Sequence, residues 1–107
     1  MIADYPHHLS ATAYCLRGVM SDGTYTRAHS AASNELRLGT RIRLRHGGPD
    51  GYRDFVIRDH IGYGTRLDLW TPSCSNAIRW GRRPVSFKII HKRLQAQKGK
   101  GYGRVPQ

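Results

Sequence analysis

Two aspartates carry the most pointed chemistry in this chain. Asp68 stands in Arg66-Leu67-Asp68-Leu69-Trp70, a run that reads as a strand, so its side chain points opposite to those of Leu67 and Leu69. Asp59 closes the preceding strand-like run, and the short connection Ile61–Thr65 could fold the two carboxyls toward each other. A carboxyl kept protonated near neutral pH can act as a general acid, which requires burial or a neighbouring like charge. Asp59 could supply that charge or orient a substrate. Two carboxyls roughly 6.5–9.5 Å apart would instead suit inverting hydrolysis, with water between them. Plain structural roles compete with these. Asp68 could pair with Arg66 or Arg58, and Asp59 could cap a turn between Arg58 and His60.

Other side chains near the pair could bind or shuttle. Tyr63 lies in a glycine-spaced loop beside both aspartates and offers an aromatic platform for a substrate; Arg66, His60 and Trp70 complete the candidate binding set. His60 and His29 could also move protons, though each reads better as a surface or core histidine. Trp80 falls in a helix-like segment and reads as core. Cys15 and Cys74 form no CxxC pair, which argues against a thiolate zinc site. No metal and no cofactor is expected. The cysteines are either two core thiols or one disulfide.

The elements that must position these residues are short. Residues 10–16 read as a strand with Thr12, Tyr14 and Leu16 on one face. The segment from Thr24 to Ala32 is either a second short strand or an extended loop. Residues 38–46 alternate, with Leu38, Thr40, Ile42 and Leu44 on one side and Arg41, Arg43 and Arg45 on the other, as in a half-buried strand with a basic outer face. His46–Gly51 is the strongest turn, and 52–60 is its partner strand, facing inward either through Phe55 and Ile57 or through Tyr52 and Val56. Residues 71–81 have helix punctuation: Thr71 or Ser73 as cap, Pro72 in the first turn, Gly81 at the end. The last strand is 84–92. About six strands and one short helix close most naturally as a barrel, which leaves no open edge.

Taken in order, ATAYC (11–15), LGTRIRL (38–44), VIRDHIGYGTRLDLW (56–70) and PSCSNAIRWGRRPVSFKII (72–90) resemble the three-aspartate domain of bacterial cell-wall enzymes. Its relatives include membrane-bound lytic transglycosylase A, rare lipoprotein A, barwin-type proteins and expansins. The resemblance covers 10–92. It implies an all-β fold with small α content, a six-stranded double-psi β-barrel with one short helix and an aspartate-lined carbohydrate groove. It further implies a peptidoglycan-cleaving activity with Asp68 as acid and Asp59 beside it. The family's first aspartate falls at Ala32, and a histidine of rare lipoprotein A falls at Ser33. Two of the three aspartates therefore carry over, at a spacing two residues shorter than in the muralytic members. Because both cysteines lie inside family-like segments, Cys15 and Cys74 are expected to be a structural pair. The alternative is the same barrel as a glycan-binding or phage structural or lysis module without turnover.

Length and charge frame these readings. The 107 residues suit one domain: a leader at 1–9, the barrel at 10–92 and a basic tail at 93–107. Eighteen Lys and Arg against seven Asp and Glu give +11. Through His91 the chain carries thirteen cations and all seven acids, a net +6; Lys92, Arg93, Lys98, Lys100 and Arg104 add five more. Such a field favours a polyanion: nucleic acid, an anionic wall polymer or an acidic membrane surface, the last two reached through the tail. Nucleic acid is the weaker choice, since no helix-turn-helix, zinc finger or aromatic RNP-like strand is present. The N-terminus has neither a basic n-region nor an apolar run of signal length. A cell-envelope, secreted or virion-associated location would then need a removed leader, a membrane lesion or delivery on a particle.

Overall fold

A computed structural model describes residues 4–91. Six strands close a barrel: β1 (His7–Tyr14), β2 (Ser30–Ser33), β3 (Arg41–Leu44), β4 (Asp54–Asp59), β5 (Leu67–Trp70) and β6 (Arg83–His91). One helix, α1 (Cys74–Trp80), lies between β5 and β6. Around the barrel the order is β1-β5-β2-β4-β3-β6. The β1·β5 and β2·β4 pairs are parallel and the other four antiparallel. Chain neighbours β4 and β5 are thus separated by β2, and the glycine loop between them is a crossover rather than a hairpin. The expected tail lies outside the described residues.

Alternation decides which side of each strand meets the core. Ile42 and Leu44 on β3, Phe55 and Ile57 on β4 and Leu67 and Leu69 on β5 are buried, together with Ala11, Ala31, Trp80 and Phe87. Each fully buried Leu, Ile or Phe adds about 1.5–3 kcal/mol relative to exposure. On β4 the inward pair is Phe55 and Ile57. The β1 strand begins at His7, inside the segment expected to be a leader, because His7–Ala11 pair antiparallel with Arg83–Phe87. The His7 ring stacks on Phe87 at 5.2 Å.

The helix starts where its cap dictates. Ser73 accepts a hydrogen bond from the Asn76 amide at 3.0 Å, and Gly81 ends the helix at φ 64°, in the left-handed region that favours glycine. Pro72 precedes the cap instead of sitting in the first turn. The His46–Gly51 turn docks on this corner: Asp50 Oδ1 accepts from Thr71 Oγ1 (2.7 Å) and Asn76 Nδ2 (2.9 Å). Trp80 Nε1 donates to the Ala11 carbonyl at 3.1 Å, fastening the helix to β1. A disulfide joins Cys15, just past β1, to Cys74 at the first turn of α1, with Cα atoms 5.1 Å apart.

Candidate active site

Strand register, not sequence spacing, assembles the site. Thr12 pairs with Asp68 across β1·β5, Asp68 with Ala32 across β5·β2, and Ala32 with Asp59 across β2·β4. The result is one row, Thr12–Asp68–Ala32–Asp59. Its flanking residues Ala11, Leu67, Leu69, Ala31 and Ile57 point into the core, so the row faces outward. Asp59 reaches it through a bulge: Ala31 pairs with Ile57 but Ala32 with Asp59, leaving Arg58 as the extra residue. Without the bulge, Asp59 would share the inward side of Ile57. One strand separates the two aspartates, so their Cα atoms are about 10 Å apart, with the small Ala32 between them.

The surroundings of Asp68 alter its acidity. Thr12 Oγ1 donates to its Oδ1 at 3.0 Å, and Arg66 Nε donates to Thr12 Oγ1 at 3.1 Å, a short relay beside the acid. Burial raises the Asp68 pKa; the Thr12 bond and the Arg66 charge pull it back without cancelling the rise. Burial, rather than the like charge of Asp59, therefore leads the shift.

Asp59 has a different occupation. Its Oδ1 accepts from the Ser21 amide (3.0 Å), the Ser21 hydroxyl (2.5 Å) and the His60 amide (2.9 Å). Beside it, Arg58 pairs with Asp22 at 3.0 Å, and the Asp22 amide donates to the Arg58 carbonyl. These contacts clamp a small hairpin, bridged at Val19 and Tyr25, onto β4, with Met20 buried beneath. Burial pushes the Asp22 carboxyl up, but the Thr24 hydroxyl and amide and Arg58 together hold it below the usual range.

Tyr14, two residues beyond Thr12 on the same face, belongs to the site. Its phenol oxygen is buried with no hydrogen-bond partner among the described residues. Burial first, then the charges of Asp59 and Asp68, raise its pKa far above the usual phenol range. A neutral O–H thus lies within the field of both carboxylates. The shared face of Thr12 and Tyr14 is visible in the sequence; the pairing of Thr12 with Asp68 is not.

The remaining candidates divide. Arg66 is at the row. Tyr63 is 87% exposed in the crossover loop, where its carbonyl accepts from Arg66 Nη1 at 3.4 Å. That loop is held by Asn34, which accepts from the Ile61 amide (3.1 Å) and donates to the Gly64 carbonyl (3.4 Å). Gly64 has φ 113°, and a Cβ there would come within 2.8 Å of Arg66 Nη1. His60 is exposed, with Nδ1 3.4 Å from the Ser33 carbonyl. Ser33 is buried, and its hydroxyl accepts from the Glu35 amide, a turn contact. Trp70 is only 4% exposed; its Nε1 donates to the Leu16 carbonyl and Arg17 covers its ring at 5.5 Å, so it packs the hairpin base. His29 lies at the far end of β4, on the Asp54 carbonyl and the Tyr52 ring.

Compared with known proteins, the chain matches no family model and no curated sequence.

Proposed function

We propose that this chain is a peptidoglycan-acting barrel in which Asp68 is the general acid of a lytic-transglycosylase-like cleavage. One observation carries the reading. The three positions that the resemblance marks for carboxylates, 59, 32 and 68, come from three strands and fall side by side in one row. The closed six-stranded barrel with one short helix is the architecture such a site would use.

In this reading the protonated Asp68 gives its proton to the glycosidic oxygen as the bond from muramic acid C1 breaks. The muramic acid 6-hydroxyl then attacks C1, closing the 1,6-anhydro ring, and returns a proton to Asp68. No water is consumed. Burial favours the protonated starting form, and Thr12 fixes the carboxyl's orientation. Tyr63 and Arg66 border the row where a glycan strand would lie. The disulfide fits an oxidising compartment, in keeping with action at the cell envelope.

A second reading is a glycan-binding module without turnover. It is favoured by Ala32 at the centre of the row and by the engagement of Asp59 with Ser21 and His60. Incubation with purified sacculi separates the two. Release of anhydro-muropeptides by the native chain, lost in Asp68→Asn at a melting temperature no lower than that of the parent, supports catalysis. Retention on sacculi without release supports the binding module, and neither retention nor release overturns both.

A further inference from the structure

The opposite side of the barrel presents a different chemistry. The acid row is centred on the β5–β2 seam; three strands further round lies the β3–β6 seam. Here Arg41 and Arg45 are exposed on and just beyond β3, and Lys88 is the register partner of Arg43 on β6. Arg43 itself is neutralised by Asp54, its Nε and Nη2 bonding the two carboxylate oxygens at 2.6 and 2.9 Å. Lys88 restores a net cation at the middle of the line. Arg53 and Arg45 both stand 5.8 Å, and Lys88 5.2 Å, from the centre of the Tyr5 ring. The acids nearest along the chain are Asp4, preceding Tyr5, the paired Asp54, and Asp50, which is held by Thr71 and Asn76.

Alternate residues of a strand are about 6.7 Å apart, close to the repeat of an extended phosphodiester chain with three carbons between phosphates. Arg45 also borders a cleft of about 330 Å³ lined by His46, Trp80, Arg83, Pro84 and Ser86. A polyol unit of such a chain could enter it, meeting the Ser86 hydroxyl and the His8 ring 3.0 Å from it. Single-stranded nucleic acid binders need open aromatic faces on which bases stack. On this face the Tyr5 ring is surrounded by three cations, and Arg83 covers Trp80 at 3.9 Å.

We propose that the outer face of β3 and β6 binds a base-free phosphodiester polymer of the poly(alditol phosphate) kind. Arg41, Arg45, Arg53 and Lys88 contact the phosphates, and the neighbouring cleft takes a polyol unit. The face stands apart from the acid row, so an Asp68→Asn chain keeps it whatever becomes of the catalytic reading.

The test titrates the full chain with synthetic poly(glycerol phosphate) and with oligo(dT) of equal phosphate number, over a range of salt. The triple change Arg41→Gln, Arg45→Gln, Lys88→Gln is expected to weaken polymer binding at least tenfold at low salt. It should also lower the slope of log K against log salt by about two. Arg27→Gln, Arg79→Gln, Arg82→Gln removes the same charge elsewhere and should stay within about twofold of the parent, since both variants keep the same tail. Equal losses in the two triples would show that net charge alone binds, and no loss in the first would show that this face does not bind; either overturns the proposal. Tighter binding of oligo(dT) than of the polymer would overturn the polymer class.

Discussion

The β5–β2 and β3–β6 seams of this barrel both carry charged outer rows, yet their charges live in different media. On the acid side a hairpin and a crossover loop cover the strands. Asp68 is half-buried, bonded by a hydroxyl, and raised in pKa; a phenol beside it is sealed from water. On the basic side the Arg43–Asp54 pair keeps side-chain exposures of 39% and 46%, and Arg41, Arg45 and Arg53 stand in solvent. A covered carboxyl loses hydration, which raises its pKa and suits it to proton transfer. An exposed one supplies a field that salt screens. The same strand pleat builds both; what lies over it decides the chemistry.

The sharpest break in that comparison is kinetic. Under the proposed transglycosylase reading, Asp68→Asn should reduce anhydro-muropeptide release by about 10²-fold or more, as expected for loss of a general acid. Arg41→Gln at saturating sacculi should leave the rate unchanged. Both are read by mass spectrometry of the soluble products.

Next in size is the disulfide at the edge of the covered side. Replacing Cys15 and Cys74 by serine removes a cross-link of 59-residue separation and should lower unfolding free energy by up to about 4 kcal/mol in the chain-entropy picture, measured by urea titration. The same melts of an Arg43→Ala chain should move far less.

Acid should separate Asp22 and Asp68 by sign. Asp22 has a lowered folded pKa, so its contribution is present above its unfolded value and is lost as pH falls through the folded one. Asp68 has a raised folded pKa, so its contribution is present below its unfolded value and is lost as pH rises through the folded one. Asp22→Asn should therefore flatten stability on the acid side, and Asp68→Asn should stabilise the chain at neutral pH relative to acid. Asp59→Asn should loosen the hairpin, seen as faster amide exchange at Ser21, and leave the pH optimum in place, because burial leads the Asp68 shift.

The smallest effect belongs to the open side. Arg43→Ala should lower stability less than any change above, and less still in high salt, as for an exposed ion pair. Arg43 draws Asp54 below the usual carboxylate range through the hydrogen bond between them. A large loss would mean that the basic face is part of the fold's foundation and that the contrast between the seams is weaker than the exposures indicate.

Local sequence was enough for everything that depends on neighbours along the chain. The alternation of 38–46 determined that Ile42 and Leu44 would enter the core and leave the arginines outside. Gly81 determined where the helix stops, and the start was narrowed to a cap at Thr71 or Ser73, of which Ser73 is the one used. Leu67-Asp68-Leu69 determined that the carboxyl would oppose two core leucines. Each follows from a strand period of two or from the unsatisfied groups at a helix end, and needs no distant partner. Tertiary structure alone decided what meets the carboxyl. Thr12 reaches Asp68 across a sequence separation of 56 residues through a parallel pairing, and Ala32 enters between Asp68 and Asp59 because β2 inserts between β4 and β5. A single bulge at Arg58 turns Asp59 from the core side to the row. Spacing along one strand cannot encode these, since register is set by the whole closed sheet, and a shift of one residue sends a side chain to the opposite face.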